Sequence, residues 1–251
     1  MWFDSHCHVH LCETGTPAEV VERGRAAGVT RMLTVGIDVA SSRVALELAR
    51  THGLFAAVGV HPNSATEWDA AALADISEML DAPEVVAVGE SGLDFYRDHA
   101  EPEQQHVAFR AHISLAKSAG KTLVIHTRAS IDEALHVLET EGPPSRVIFH
   151  CWSGDSDQMK RAVELGAFIS FAGNVSFKSA EDLRVVATQV PAERLLVETD
   201  SPFLTPVPNR GKPNEPRNVA FVGEAVAATR SVTTTEIAEL TSANAATAFG
   251  L

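Results

Sequence analysis

Short, continuously apolar segments recur along this chain, each separated from the next by a longer amphipathic segment. The apolar segments have the length of strands and are rich in β-branched residues, as in residues 85–88 and 122–125. The intervening segments begin with helix-capping residues and mostly end at glycine. Strands that are apolar on both faces are typical of a parallel sheet covered by helices. The pattern therefore predicts alternating strands and helices.

Eight strand–helix units are predicted in this way. The strands are expected at residues 1–8, 31–35, 55–60, 85–89, 122–125, 147–149, 167–171 and 195–197. The helices are expected at residues 17–28, 42–52, 69–80, 102–119, 130–142, 155–166, 179–189, 218–230 and 236–249. Thr16 and Ser130 are expected to begin capping boxes and Ser179 to cap its helix. We therefore predict an α/β fold, a (β/α)8 TIM barrel that forms a single domain over residues 1–251. A doubly wound sheet is disfavoured because no Gly-x-Gly-x-x-Gly follows the first strand.

Polar residues follow the predicted strands at the ends that meet in one mouth of a barrel. His6 and His8 point to the same face of the first strand, with Cα atoms roughly 6.6 Å apart, because side chains alternate along a strand. The other strand ends carry His61, Glu90, His126, His150 and Asp200. Four of these histidines, His6, His8, His126 and His150, with the two carboxylates are already too many ligands for one ion of low coordination number. They suit two ions a few ångströms apart, which is the layout of metal-assisted hydrolysis.

Several candidate residues also have a structural interpretation. His61 fits a helix cap as well as a site residue. Arg128 is expected to face the mouth and bind phosphate, or else to pair with a local acid. Trp152 fits either a core aromatic or a stacking platform at the lip of the site. Cys151 is expected to point away from the site, as Cys7 does.

The charge and the cysteine content narrow the functional classes. A formal net charge of −13 excludes a broad basic surface for nucleic acid, so a polyanionic substrate must be held locally by metals and a few arginines. Three cysteines without zinc or redox spacing fit a reducing compartment. No apolar run approaches the roughly 18 residues of a membrane span. We therefore expect a soluble, cytoplasmic protein with no membrane contact, and we favour a monomer.

Six motifs carry a resemblance to a known family. They are Asp-Ser-His-Cys-His at residues 4–8, Gly-Val-His-Pro at 59–62, Gly-Glu-Ser-Gly-Leu-Asp at 89–94, Ile-His-Thr-Arg at 125–128, His-Cys-Trp-Ser-Gly at 150–154 and Glu-Thr-Asp-Ser-Pro at 198–202. Through these motifs the chain resembles, from end to end, the TatD-type metal-dependent deoxyribonucleases, a branch of the amidohydrolase-like barrels. The loop at residues 210–216 is also similar to that of the family.

The resemblance implies a role for each candidate residue. It implies that two divalent ions bind, either magnesium or zinc, with manganese, nickel or cobalt as alternatives. One ion would be held by His6, His8 and Asp200, the other by His126 and His150. Glu90 would bridge the ions, and Asp200 would also orient and deprotonate the attacking water. The expected substrate-binding residues are His61, Arg128 and Trp152.

The leading functional hypothesis is a DNase that cleaves single-stranded DNA as a 3′–5′ exonuclease through a metal-activated water, with RNA as a further substrate. The alternative is two-metal hydrolysis of a small ester, amide or cyclic amide, since the same chemistry can attack a carbonyl carbon. A non-catalytic metal-binding scaffold is a third hypothesis, against which the intact Asp200 argues. Three residues depart from the family pattern: His10 replaces the usual aspartate, Ser91 a larger or apolar residue, and Trp152 the usual phenylalanine.

Overall fold

Eight parallel strands pair in chain order, from β1 with β2 to β7 with β8, in the computed structural model, which describes residues 1–251. The strands are β1 Trp2–Cys7, β2 Val29–Val35, β3 Phe55–Val58, β4 Val85–Asp94, β5 Thr122–Arg128, β6 Val147–Phe149, β7 Phe168–Phe171 and β8 Leu195–Val197. The ring closes where the segment after β8 meets β1. There the Asp200 amide donates to the His6 carbonyl at 2.9 Å, and the His8 amide donates to the Ser201 carbonyl at 2.8 Å. The predicted (β/α)8 barrel is confirmed.

Nine helices cover the strands. They are α1 Pro17–Ala26, α2 Val39–His52, α3 Ala70–Met79, α4 Pro102–Ala119, α5 Ile131–Glu141, α6 Ser156–Glu164, α7 Glu181–Gln189, α8 Val219–Arg230 and α9 Thr234–Phe249. No helix is both long enough and apolar enough to cross a membrane. All nine predicted helices are present, with ends that shift by a few residues.

The predicted helix caps are correct at Thr16 and wrong at two serines. The Thr16 amide donates to Glu19 Oε2 at 2.8 Å, which completes the capping box. Ser130 precedes α5 but does not cap it, because its hydroxyl donates to the Leu93 carbonyl of β4 at 2.6 Å. Helix α7 begins at Glu181, so Ser179 lies outside the capping position. A tertiary hydrogen bond therefore takes precedence over the local cap at Ser130.

The apolar core has two parts. A cluster of 51 buried residues lies between the strands and the helices. A smaller cluster of 13 fills the barrel near the start of the strands, where Phe3 of β1 packs on Phe249 of α9 with ring centroids 5.6 Å apart. Thr122, the first residue of β5, donates its hydroxyl to the Ala248 carbonyl at 2.6 Å. Helix α9 therefore closes the amino-terminal end of the barrel and leaves the carboxyl-terminal mouth for chemistry.

Strand β4 is longer than predicted because it continues through a β-bulge. Its register with β5 shifts between Val88 and Ser91. Gly89 has φ 140°, and a Cβ at this position would lie 2.5 Å from the Val124 carbonyl oxygen. Only glycine fits there. The bulge directs Glu90 into the barrel in the middle of the strand, and not at its end as predicted.

Candidate metal centre

Glu90 lies among five histidines. Its Oε2 atom is 3.3 Å from His6 Nε2 and 3.6 Å from His8 Nε2. Its Oε1 atom is 2.8 Å from His126 Nδ1, 2.8 Å from His150 Nε2 and 3.5 Å from His61 Nε2. Each carboxylate oxygen therefore faces a different group of imidazoles.

Asp200 joins the first of these groups. Its Oδ1 atom lies 3.8 Å from His6 Nε2 and 3.6 Å from His8 Nε2. Its backbone has φ 51°, a left-handed conformation that turns the chain just beyond β8. The structure thus brings together the six residues that the sequence suggests as ligands: His6, His8, Glu90, His126, His150 and Asp200.

Contacts on the far side of the ring orient three of the histidines, His8, His150 and His126. His8 Nδ1 donates to the Val35 carbonyl at 2.9 Å, which leaves Nε2 free to bind a metal. His150 Nδ1 lies 3.1 Å from Glu198 Oε1. His126 Nε2 lies 3.4 Å from Asp94 Oδ2. Partners of this kind set the tautomer and the orientation of metal-binding imidazoles.

Glu198 and Asp94 were not among the candidate residues predicted from the sequence. Both stand inside quoted motifs, Glu198 two residues before Asp200 and Asp94 four residues after Glu90. Both carboxylates are buried. The signal available in the sequence was therefore an acid only two or four residues from a proposed ligand, since such acids often hydrogen-bond to metal-binding histidines.

The buried carboxylates and imidazoles of the site shift one another's pKa values. Burial alone would raise the pKa of Glu90, but His150, His61 and His6 hold it well below its usual value. Burial alone would lower the pKa of His150, but the carboxylates of Glu90 and Glu198 raise it well above its usual value. Without metal, the neighbouring carboxylates therefore favour the protonated form of His150, and metal binding competes with that proton.

The spacing and type of the donor atoms fit divalent metals. The Nε2 atoms of His6 and His8 are 3.2 Å apart, and so are His126 Nδ1 and His150 Nε2. Two nitrogens bound to one tetrahedral zinc ion are separated by roughly 3.3 Å, given zinc–nitrogen distances of about 2.0–2.1 Å. Each histidine pair can thus hold one ion, with Glu90 reaching both.

The histidines and acids open into a cavity of about 600 Å³, in which five of twenty lining residues are hydrophobic. Of the expected substrate-binding residues, His61 and Arg128 line it. His61 Nδ1 accepts from the Asn63 amide at 3.0 Å, so the neutral ring carries its proton on Nε2, which faces Glu90. Burial and the neighbouring His126 lower the pKa of His61 to about 3. His61 therefore both caps a turn and presents a neutral donor to the cavity.

The expected stacking role of Trp152 is wrong. Its side chain is fully buried and packs edge-on against Phe149, with ring centroids 5.6 Å apart. The expected direction of Cys151 is also wrong, because Cys151 lines the cavity. Cys151 has φ 46°, so the strand does not continue past His150 and its alternation of faces ends there. Cys7 does point away and donates its thiol to the Leu33 carbonyl at 3.2 Å.

The other two departures from the family pattern lie beside the centre. His10 packs near His8, with ring centroids 6.1 Å apart, and both of its ring nitrogens lack a hydrogen-bond partner. Burial and the neighbouring His8 lower the pKa of His10 to about 4. Ser91 is buried in β4. Neither residue lines the cavity.

Comparisons with known proteins place the chain in one family. The family model described as TatD related DNase matches residues 3–250. An uncharacterized metal-dependent hydrolase TatD of Mycobacterium tuberculosis is 41% identical over 99% of this chain and 97% of its own length. A protein of Erwinia amylovora named 3′-5′ ssDNA/RNA exonuclease TatD is 35% identical over 93% of each chain.

A solved structure agrees with these sequences. The crystal structure of YJJV, a TatD homolog from Escherichia coli K12, superposes with a TM-score of 0.93 at 29% identity and covers 100% of this chain and 98% of its own. The family match is therefore consistent with the barrel fold and with the buried cluster of histidines and acids. This chain belongs to the TatD-related DNase family and is a metal-dependent hydrolase.

Proposed function

We propose that this protein is a two-metal nuclease that removes nucleotides from the 3′ end of single-stranded DNA or RNA. The observation that carries the proposal is the position of Glu90, with Oε2 toward His6 and His8 and Oε1 toward His126 and His150. The Erwinia amylovora relative is named a 3′-5′ ssDNA/RNA exonuclease, which supports the 3′–5′ direction and the single-stranded substrates.

In this proposal, His6, His8 and Asp200 would hold one ion, His126 and His150 would hold the other, and Glu90 would contribute to both sites. Two divalent ions held by these residues would polarise a phosphodiester and lower the pKa of water at the site. Among the metals considered, the four imidazoles favour zinc over magnesium, which prefers oxygen ligands.

Asp200 is the acid that can accept the proton of the attacking water. Its side chain is 12% exposed, whereas that of Glu90 is only 3% exposed. Burial would raise the pKa of Asp200, but its hydrogen bond with His8 and the charge of His150 lower it. Asp200 is thus ionised at neutral pH and reaches the cavity, as a general base must. Glu90 holds the ions, and its own charge is neutralised by the histidines.

His61 and two arginines supply the contacts for a phosphate. The Nε2–H group of His61 is a neutral donor that can bind a phosphate oxygen without depending on pH near neutrality. Arg97 and Arg128 line the outer part of the same cavity and are exposed. They place positive charge at the mouth of a protein whose formal net charge is −13. These cations, and the scarcity of hydrophobic lining residues, favour a phosphodiester over a small apolar ester or a cyclic amide.

The test is a substrate screen with the purified, full-length chain. The protein is stripped with a chelator, reloaded with zinc, magnesium or manganese, and incubated with single-stranded DNA and RNA labelled at the 5′ end. We expect a ladder of labelled products shortened from the 3′ end and only weak cleavage of blunt duplex DNA. A phenyl ester and a cyclic amide provide the comparison. Turnover of either one, without cleavage of any nucleic acid under any metal, contradicts the proposal.

A further inference from the structure

The protein has three exposed aromatic side chains other than histidines, of which Phe203 lines the cavity and Tyr96 contacts Arg128, which also lines it. They are Phe95, Tyr96 and Phe203, with 39%, 67% and 53% of their surfaces exposed. Phe95 and Tyr96 directly follow Asp94 at the end of β4, and Phe203 comes three residues after Asp200. Exposed aromatic rings are costly to keep in water, so the positions of Phe203 and Tyr96 beside one opening indicate a ligand with apolar faces.

Phe203 is held rigidly beside the metal centre. Its amide donates to the Asp200 carbonyl at 2.8 Å, and its carbonyl accepts from Asn214 Nδ2 at 2.5 Å. Its ring stands edge-on to the proposed ligand His8, with centroids 6.1 Å apart, and lines the cavity. The backbone of Phe203 is thus fixed before any ligand arrives, so binding a flat group on the exposed ring requires little further ordering of the chain.

Tyr96 is held on the other side of the opening. Its amide donates to Asp94 Oδ1 at 3.0 Å, the same carboxylate that faces His126. The Arg128 guanidinium lies 3.8 Å from the centre of the Tyr96 ring. With 67% of the residue exposed, the ring has surface left for a second partner. The strands pair in chain order around the ring, so the loops after β4 and β8 are opposite each other across the mouth.

We infer that Phe203 and Tyr96 are two base-stacking platforms that bind unstacked nucleobases of single-stranded DNA or RNA on opposite sides of the metal centre. The inference rests on the proposed nuclease function. A strand that runs from one ring to the other crosses Glu90, with bases on both sides of the cleaved phosphodiester. Every base has an aromatic face, so stacking of this kind tolerates any sequence.

The platforms account for binding by an acidic protein and for selection of single strands. With a formal net charge of −13, long-range attraction of phosphates is weak, so local contacts must supply the affinity. The bases of a duplex are already stacked on one another and cannot reach either ring. Arg128 adds a positive charge beside Tyr96, where a neighbouring phosphate lies. In this inference, Phe203 and Tyr96 on two other loops stack with bases, which is the role that the sequence suggested for Trp152.

The test combines Phe203→Ala and Tyr96→Ala with a scan of single abasic residues through a labelled single-stranded oligonucleotide. The abasic residue keeps the phosphate and removes only the base. We expect each variant to raise KM for the intact strand roughly 5- to 100-fold, the usual effect of one stacked base. In the wild type, abasic residues at two positions should raise KM similarly. One of these positions should have no effect in Phe203→Ala, and the other none in Tyr96→Ala.

Matched variants separate stacking from damage to the loops. Phe203→Trp and Tyr96→Phe keep a ring and should keep the wild-type KM. Val207→Ala removes another exposed apolar side chain, four residues after Phe203 and outside the cavity lining, and should have no effect. The inference alone is overturned if the wild type cleaves the strand but both alanine variants stay within twofold of its KM, or if they weaken intact and abasic strands equally. If the wild type cleaves no nucleic acid, the proposed function fails and the inference fails with it.

Discussion

Glu198 accepts a hydrogen bond from His150 Nδ1 at 3.1 Å, while Nε2 of the same ring lies 2.8 Å from Glu90 Oε1. Glu198 is completely buried and also accepts from the Cys151 amide at 2.9 Å. It therefore holds the imidazole from behind and turns the ligand nitrogen toward the proposed metal. Glu198 does not face the substrate, so its part is to position His150.

Replacing Glu198 by Gln should weaken metal binding by roughly 10- to 100-fold, the usual effect of losing such a partner. Glutamine keeps the shape, but it removes the negative charge and allows an amide N–H group to face His150 Nδ1. The measurement is zinc affinity by competition with a chelator of known Kd. Glu193→Gln, an exposed change in the turn that precedes β8, is the control. An unchanged zinc affinity in Glu198→Gln would contradict the positioning role.

A second prediction concerns the number of ions. If Glu90 bridges two sites, Glu90→Gln should reduce the metal content from about two ions per chain to one or fewer after gel filtration. The amide cannot serve as an anionic ligand to both ions, and the neighbouring histidines lose the charge that raises their affinity for cations. Elemental analysis against protein concentration measures the ratio. Glu84→Gln, on the loop that enters β4, should keep the wild-type ratio, and equal ratios in all three proteins would refute the bridge.

The third prediction is that Asp200→Asn lowers kcat on single-stranded DNA by roughly 10²- to 10⁴-fold, the usual contribution of a positioned general base. Asparagine keeps an oxygen that can face His8, but it cannot accept the proton. The melting temperature should stay close to that of the wild type, because Asp200 lies in the mouth and not in the apolar core. Activity within about tenfold of the wild type at saturating metal would refute the assignment.

The cluster of candidate metal ligands was predictable because it follows from two regularities, the alternation of side chains along a strand and the order of strands around the barrel. Alternation along β1 places His6 and His8 on one face, and the order of the strands brings His126 and His150 to the same end of the barrel. Glu90 was identified for a partly wrong reason, since β4 does not end there and a bulge at Gly89 turns the side chain inward. The residue types and their spacing were thus enough to identify Glu90 as a candidate ligand without knowledge of the bulge.

The parts that the sequence did not predict depend on tertiary geometry. Cys151 lines the cavity, and Trp152 takes the core position that was one of its two alternatives, because the left-handed backbone at Cys151 ends the alternation of the strand. Ser130 loses its capping role to a carbonyl on a neighbouring strand. Glu198 received no role because its function depends on which nitrogen of His150 faces it. Spacing along the chain carries no information about that choice.

A fourth prediction concerns the pH dependence of stability. His112 is fully buried in α4, where its Nδ1 donates to the Ala108 carbonyl at 2.7 Å and its Nε2 accepts from the Val60 amide at 3.0 Å. Only the neutral ring can make both bonds. Burial lowers the pKa of His112 from 6.5 to about 4. Above pH 6.5 the residue is neutral in both the folded and the unfolded states, so its contribution is complete there.

As the pH falls from 6.5 to about 4, the unfolded chain binds a proton at His112, whereas the folded chain does not. The free energy of unfolding should therefore decrease over this interval, by on the order of 3 kcal/mol from this residue. His112→Gln, which keeps a donor and an acceptor but does not titrate, should show a shallower decrease. Urea unfolding of both proteins at several pH values measures the difference. Parallel curves would show that His112 does not take up a proton preferentially in the unfolded state.

The seam of the barrel sets the order in which the metal centre is completed during synthesis. The Thr199 amide donates to Asp4 Oδ1 at 2.8 Å across 195 residues of chain. At a translation rate of roughly 5–20 residues per second, β1 waits about 10 to 40 seconds before its partner emerges. Until then the growing chain contains His6 and His8 but neither Asp200 nor Glu198. A ribosome-bound chain that stops before β8 therefore lacks Asp200, and the complete cluster of candidate ligands can form only after β8 has emerged.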